Sequence, residues 1–225
     1  MQDEYLEYYA NYDEEQRLTS QNITRIEFDT TIDQLAEFTQ QAKTLTELGA
    51  ATGRYSLYYA NQGLDVTAVE LVPELVEQLR ANAKQQAINL SIHEANATAV
   101  SFIPDQSQDI VLVLGPLYHL QQQCDREAVL REANRILKPN GILAIAYVSR
   151  FFVAGLLAKM SPVLVTPDVL ATLNETGLIT APEVDTFFRT GYFSTPAEIE
   201  RLTQSCGFAM KKHIATDGFG RYIGK

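Results

Sequence analysis

The sequence predicts an α/β fold with a doubly wound, mostly parallel sheet of seven strands, the last of them antiparallel. Short apolar segments alternate with helical patterns in the order β-α-β-α-β, a loop, and then β-α-β. Residues 110–114 form a continuous run of Ile, Val and Leu, which is typical of a strand buried on both faces of a parallel sheet. We therefore expect crossover helices on both faces.

Four parts follow one another along the 225 residues. Residues 1–42 are predicted to be an N-terminal helical segment, and residues 43–149 the core with the first five strands. Residues 150–192 break the alternation with two short helical patterns, which predicts a helical cap at the carboxyl edge of the sheet. Residues 193–225 are predicted to complete the core with a helix and an antiparallel hairpin that begins at Phe208.

Composition limits the function classes. The formal net charge is −10, and Lys211–Lys212 is the one basic cluster, so a nucleic-acid partner is disfavoured. No apolar run reaches the roughly 18 residues of a membrane span, and the acidic N-terminus is unlike a signal peptide. Cys124 and Cys206 lie far apart without metal-ligand spacing, which predicts two free thiols and no metal site. We expect a cytoplasmic protein without a membrane partner.

Residues 45–56 carry the most informative motif, a strand followed by a glycine-bearing turn and a helix start. Gly49 allows a sharp turn, Gly53 allows a close approach of backbone or ligand, and the helix start points free N–H groups into the turn. A second strand ends at Glu70, 17 residues after Gly53. About 20 residues separate a nucleotide loop from a ribose-binding carboxylate, so an adenosine-type cofactor is predicted.

His119 follows Gly115 and Pro116 directly after the buried fourth strand. One interpretation is a histidine packed beside Tyr118 with a satisfied ring. The other is a group that orients a substrate or acts as a general base, because imidazole titrates near neutral pH. The sequence leaves both interpretations open.

With these motifs in place, the chain resembles the class I S-adenosylmethionine-dependent methyltransferases over nearly its whole length. Residues 47–53 are similar to the first motif of that family, residues 109–120 to its fourth strand and active-site loop, and residues 131–143 to the helix, turn and strand that follow. Glu70 matches the acid that binds the ribose hydroxyls. The resemblance implies a Rossmann-like fold, S-adenosylmethionine as cofactor, and direct methyl transfer to a small molecule by a monomer or homodimer.

The resemblance also implies the residues of the site. Tyr118 and His119 are the catalytic candidates. In relatives with a similar start, the N-terminal segment closes over the cofactor, although its tyrosines can equally be packing residues. The acid at position 47 lies near the cofactor's ammonium group in the family, and its alternative role is a cap of the adjoining loop or helix. The cofactor-binding candidates are Tyr12, Arg17, Glu47, Gly49, Ala51, Gly53, Glu70, Leu71, Asn96, Ala97, Leu114 and Gly115.

Two residues depart from the family pattern. Ala51 replaces the middle glycine of the loop, and we expect it to require a negative φ and to direct one extra methyl group at the cofactor region. Asn96 stands where the family often has an aspartate, and its amide oxygen can accept the same hydrogen bond without charge assistance. These departures favour an alternative, a non-catalytic S-adenosylmethionine-binding sensor or partner. A nicotinamide-dependent oxidoreductase is a weaker alternative, because the loop lacks G-x-G-x-x-G.

Overall fold

The computed structural model describes residues 22–179, 181, 183, 184 and 186–216 of the chain. Within these residues one sheet is formed by β1 (Thr44–Leu48), β2 (Asp65–Glu70), β3 (Ser91–Glu94), β4 (Gln108–Val113) and β5 (Leu137–Ile145). The strand order is β3-β2-β1-β4-β5, and every neighbouring pair is parallel. The order reverses between β1 and β4, as in a doubly wound sheet.

Helices connect the strands and form a group after β5. In chain order they are α1 (Asn22–Thr39), α2 (Arg54–Asn61), α3 (Pro73–Gln85), α4 (Gln123–Ile136), α5 (Arg150–Met160), α6 (Pro167–Thr176), α7 (Thr186–Thr190) and α8 (Pro196–Ser205). Single 3₁₀ turns occur at Pro116–Tyr118 and Pro162–Leu164. No helix in the described part of the chain combines the length and the apolarity needed to cross a bilayer.

Apolar side chains cover both faces of the sheet. On one face, Val111 of β4 belongs to a fully buried cluster with Leu130 of α4. On the other face, Leu112 of the same strand belongs to a cluster with Tyr59 of α2 and Phe28 of α1. Successive strand residues point to opposite faces, so the continuous apolar run of β4 is explained by burial on both sides.

The prediction of seven strands with an antiparallel last strand is wrong for the described residues, which form a five-stranded, all-parallel sheet. The segment 208–216 contains no strand, and residues 209–215 are exposed. Phe208 packs against the cluster of Val111 and Leu130, and after it Lys212 pairs with Glu37 of α1 and His213 Nε2 lies 2.8 Å from the Tyr147 hydroxyl. Such a segment buries too little apolar surface to hold a strand register. Residues 221–224, the predicted second strand of the hairpin, lie outside the described residues.

The turn predicted at residues 138–141 lies inside β5. The pairing with β4 is irregular there, because Gln108 pairs with Leu137 and Ile110 with Ile142. A step of two residues in β4 thus faces a step of five in β5, and Asn140 in this irregular part has φ 65°. The fifth strand therefore begins earlier than the apolar pattern indicates.

The described residues of the segment 150–192 contain the three helices α5, α6 and α7. Its own apolar cluster includes Val153 and Leu173. Arg150, 4% exposed, donates hydrogen bonds to the carbonyl oxygens of Phe193 (3.0 Å) and Asn174 (2.6 Å) and pairs with Glu198 of α8 at 2.6 Å. This arginine ties the insertion to the helix that follows it.

Candidate functional site

Four loops meet at the carboxyl edge of the parallel sheet. They contain residues 49–53 after β1, residues 70–72 at the end of β2, residues 95–98 after β3 and residues 114–121 after β4. The reversal of strand order between β1 and β4 makes this edge the expected ligand crevice of a doubly wound sheet. The candidate residues of the described part of the chain lie on these loops or on the strands that end there.

The loop after β1 depends on its two glycines. Gly49 has φ 79° and Gly53 has φ 87°, both in the left-handed region. A Cβ at Gly49 would lie 2.7 Å from the ring of Pro116, and a Cβ at Gly53 would lie 2.0 Å from the side chain of Leu79. Because glycine has no side chain, this loop can contact both the loop after β4 and helix α3.

Ala51 also adopts the left-handed conformation, with φ 48°, so the prediction of a negative φ is wrong. Its backbone N–H donates a 2.8 Å hydrogen bond to Glu70 Oε2. For a residue with a Cβ this conformation costs about 1–2 kcal/mol, and the bond to a buried carboxylate offsets part of that cost. The loop thus keeps the shape that a glycine would favour at this position.

Glu70 joins the loops that follow β1 and β2. It is 4% exposed, and besides Ala51 its carboxylate accepts the N–H groups of Leu71 (2.8 Å) and Val72 (2.9 Å) through Oε1. Three backbone donors from two loops hold this carboxylate in one orientation at the edge of the sheet. Half-buried Leu71 follows directly, so an apolar side chain adjoins the charged group.

Glu47 lies within β1 and caps the adjoining helix. It is 2% exposed, and its Oε2 accepts hydrogen bonds from the backbone N–H (2.9 Å) and the hydroxyl (2.5 Å) of Ser56 in the first turn of α2. Burial raises the pKa of this carboxyl to about 8, against the lowering effect of the Ser56 hydrogen bonds. The capping role is therefore present, and Gly53, which precedes the helix, has no side chain to perform it.

Asn96 follows β3 and uses its side chain locally. Its Oδ1 accepts hydrogen bonds from the backbone N–H (3.0 Å) and the hydroxyl (2.9 Å) of Thr98. These bonds direct the amide oxygen towards its own loop, a conformation that an aspartate would share. Ala97 is half-buried and packs against the apolar cluster of β4 and α4.

The loop after β4 carries the catalytic candidates. Leu114 and Gly115 lead into a 3₁₀ turn at Pro116–Tyr118, and the His119 N–H donates to the Pro116 carbonyl oxygen at 3.0 Å. The Tyr118 and His119 rings are in contact, with centroids 4.5 Å apart and planes inclined by 59°. This contact agrees with the packing interpretation, while Pro116 sets the loop that carries both rings against Gly49.

Sequence reasoning missed Arg126 of α4. Its guanidinium carbon lies 3.5 Å from the ring centre of Tyr192, at the end of the insertion. The sequence contains one indication of this residue, which is the position of Arg126 in the helical repeat of α4. Arg126 precedes the buried Val129 and Leu130 by three and four residues, so an arginine occupies the apolar stripe.

Two of the cofactor-binding candidates, Tyr12 and Arg17, lie outside the described residues. The described residues contain no group of three or more His, Cys, Asp or Glu side chains arranged to hold a metal ion. Cys124 and Cys206 are free thiols, one exposed and one buried.

Comparison with known proteins gives a methyltransferase domain family, whose model matches residues 46–145. An uncharacterised protein of Mycobacterium tuberculosis is 30% identical over 133 residues, which are 59% of this chain and 46% of that protein. An uncharacterised methyltransferase of Mycobacterium bovis is 31% identical over 109 residues, which are 48% of this chain and 41% of that protein. The chain thus spans less than half the length of these curated relatives.

A solved structure shares the fold. The S-adenosylmethionine-dependent methyltransferase of Methanosarcina mazei superposes with a TM-score of 0.64 and 21% identity, covering 79% of this chain and 85% of that one. At this identity the similarity concerns the backbone arrangement. The family match runs from β1 to the end of β5, which includes each of the four loops at the carboxyl edge.

Proposed function

We propose, from the premise that the chain belongs to the class I S-adenosylmethionine-dependent methyltransferase family, that it transfers a methyl group from S-adenosylmethionine to a small molecule. The observation that carries the proposal is the position of Glu70. Its buried carboxylate is held by backbone donors from the loops after β1 and β2, at the same sheet edge as the reversal of strand order between β1 and β4 where α/β sheets bind ligands. A carboxylate there can accept hydrogen bonds from both hydroxyls of a ribose.

The chemistry of the remaining loops fits the same cofactor. Glu47 is a buried carboxyl whose pKa burial raises to about 8, and a neighbouring ammonium group would favour its charged form. Gly49 and Gly53 supply the left-handed conformations and the close packing against Pro116 and Leu79 that shape the loop after β1 for the cofactor. Leu71, Ala97 and Leu114 would supply apolar surface to the adenine, Asn96 a polar group, and Gly115 an unobstructed backbone.

S-adenosylmethionine supplies an electrophilic methyl group, so the protein's own task is to bring a nucleophile into line with it. Tyr118 and His119 lie on the loop that contacts Gly49 through Pro116. In the proposed mechanism these side chains orient the substrate, and His119 accepts a proton where the nucleophile carries one. An amine or thiolate nucleophile would need positioning alone.

The insertion 150–192 is proposed to act as a cap that selects the substrate and excludes water. It follows β5 at the same edge of the sheet, and the Tyr192 N–H donates to the Tyr118 carbonyl oxygen at 2.9 Å. The acidic balance, a formal net charge of −10, supports a small molecule over a nucleic acid. The resemblance implies that the N-terminal segment closes over the cofactor. We extend that role to this chain, with Tyr12 and Arg17 as the candidate residues.

The non-catalytic alternative draws its support from Ala51 and Asn96. That support weakens because Ala51 keeps a left-handed conformation and Asn96 makes the loop hydrogen bonds that an aspartate would make. Calorimetry with S-adenosylhomocysteine, followed by a methyl-release assay on a metabolite panel, separates the functions. Binding with a methylated product supports the proposal, and binding without any release across the panel favours the alternative. Binding of NAD but not S-adenosylhomocysteine would overturn both.

A further inference from the structure

Arg126 contacts two separate parts of the chain beside the catalytic candidates. It is 5% exposed, and its Nη1 donates hydrogen bonds to the carbonyl oxygens of Leu120 (2.6 Å) and Gln121 (2.8 Å), the two residues after His119. Its guanidinium also stacks on the ring of Tyr192, with 3.5 Å between the guanidinium carbon and the ring centre. One side chain therefore joins the loop after β4 to the end of the insertion.

Two further hydrogen bonds close the same junction. The Tyr192 N–H donates to the Tyr118 carbonyl oxygen at 2.9 Å, and the Gln121 side chain donates to the Arg189 carbonyl oxygen at 3.0 Å. Residues 118–121 are thus held by α4 on one side and by residues 189–192 on the other. His119 lies in the middle of the segment that is held.

Helix stability alone does not explain an arginine at this place. Arg126 is the fourth residue of α4, where the helix dipole favours negative charge. It also occupies the apolar stripe of Val129 and Leu130, and burial lowers the pKa of its guanidinium, so the charged form is disfavoured there. Apolar residues often replace buried charges at no loss of stability. The bonds to the loop carbonyls and the stacking on Tyr192 are what an apolar side chain would lose.

We propose that Arg126 is a positioning residue that clamps the loop carrying Tyr118 and His119 against the insertion. The clamp fixes the carbonyls of Leu120 and Gln121, and with them the backbone that holds His119 in place. The catalytic role of this clamp rests on the proposed function. The arrangement of the loop itself is measurable without cofactor or substrate.

The test uses the ring signals of the three histidines in a ¹H–¹³C NMR spectrum of the whole protein. Each signal is assigned by single substitution of His93, His119 or His213. In Arg126→Met we expect the His119 signal to move and to broaden or split, while the His93 and His213 signals keep their positions. Arg126→Lys should partly restore the His119 signal, because an ammonium group can reach the two carbonyls but cannot stack as a plane.

Arg131→Met is the matched control. Arg131 lies on the same helix, is exposed, and pairs with Glu127 at 2.8 Å. All three histidine signals should stay in place in this variant. A His119 signal in Arg126→Met that coincides with the wild-type signal would overturn the proposal. If Arg126→Met does not fold, Arg126→Gln decides, because its shorter amide cannot bond both carbonyls and stack on Tyr192, so an unchanged His119 signal in that variant also overturns the proposal.

Calorimetry with S-adenosylhomocysteine on the wild type keeps the two proposals apart. Failure of the wild type to bind contradicts the proposed function, whereas the His119 signal still reports on the clamp. If the wild type binds, we expect Arg126→Lys to bind with nearly the same affinity, because Arg126 contacts the loop after β4 and not Glu70. A loss of affinity equal to that of a Glu70 variant would contradict a role confined to the His119 loop.

Discussion

Glu70 accepts a 2.8 Å hydrogen bond from the backbone N–H of Ala51, a residue 19 positions earlier in the chain. The bond crosses from the end of β2 to the loop after β1, so the glycine-bearing turn and the acid predicted to bind ribose form one hydrogen-bonded unit. Ala51 is held in a left-handed conformation within that unit. A substitution at either residue is therefore expected to affect the other.

Ala51→Gly tests the strain in the loop. Removal of the Cβ relieves about 1–2 kcal/mol of left-handed strain, against about 0.5–1 kcal/mol of added chain entropy in the unfolded state. We expect a net gain of about 0.5–1 kcal/mol in the free energy of unfolding, measured with urea, and an unchanged affinity for S-adenosylhomocysteine.

Ala87→Gly is the control for that gain. Ala87 is an exposed alanine after α3 with φ 53°, so it carries the same kind of strain away from the crevice. Both variants should become more stable. If the free energy of unfolding rises in Ala87→Gly but falls in Ala51→Gly, the packing of the Ala51 methyl group outweighs its backbone strain.

Glu47→Gln tests the buried carboxyl in β1. The pKa of Glu47 in the folded protein is about 8, above its ordinary value of 4.5, so the unfolded chain releases this proton first as pH rises. The contribution of Glu47 to the free energy of unfolding is therefore fully present below pH 4.5 and declines until pH reaches about 8. Relative to Glu47→Gln, the wild type should lose on the order of a few kcal/mol across that range.

Urea unfolding of the wild type and Glu47→Gln at several pH values measures this difference. Glu200→Gln, a substitution of an exposed acid on α8, should follow the wild-type curve. A difference between wild type and Glu47→Gln that is the same at low and high pH would show that the carboxyl has the same pKa in the folded and unfolded protein, which contradicts a pKa raised by burial.

His119→Ala separates the two interpretations of the histidine. If His119 acts on the substrate, turnover should fall on the order of 100-fold or more, while the affinity for S-adenosylhomocysteine changes little. His93→Ala is the control, since His93 is exposed on β3 and stacks on Phe102 with 4.4 Å between ring centroids. Equal turnover of His119→Ala and the wild type would leave His119 with a packing role beside Tyr118.

Local patterns predicted the parts of the fold that depend on local physics. The apolar run of β4, Pro73 at the start of α3 and the two glycines after β1 each reflect a constraint within a few residues of chain. Parallel strands then bring their carboxyl ends to one edge, so the loops with Glu70 and His119 could be expected to meet.

Features that depend on tertiary partners could not be predicted. The φ of Ala51 is set by a bond to Glu70, and the role of Arg126 by carbonyls before its helix and a tyrosine 66 positions later. The strand expected after Phe208 is absent from the described residues because residues 209–215 are exposed and bury too little apolar surface to hold a strand register. In each case the conformation depends on contacts with, or burial against, distant parts of the chain.

The most direct test of the account is calorimetric binding of S-adenosylhomocysteine to the wild type, Glu70→Ala and Glu70→Gln. Glu70→Gln keeps one acceptor oxygen, for either the Ala51 N–H or the N–H groups of Leu71 and Val72, so urea unfolding of both variants is measured beside binding to detect a change in the loops. Asp65→Ala, at the exposed opposite end of β2, is the control and should bind like the wild type.

We expect the wild type to bind S-adenosylhomocysteine and Glu70→Ala to bind more weakly by about 1–3 kcal/mol, from lost charge-assisted hydrogen bonds. That loss corresponds to roughly 5- to 150-fold in Kd. A wild type that does not bind S-adenosylhomocysteine, or a Glu70→Ala variant that binds it as tightly as the wild type, would contradict the account.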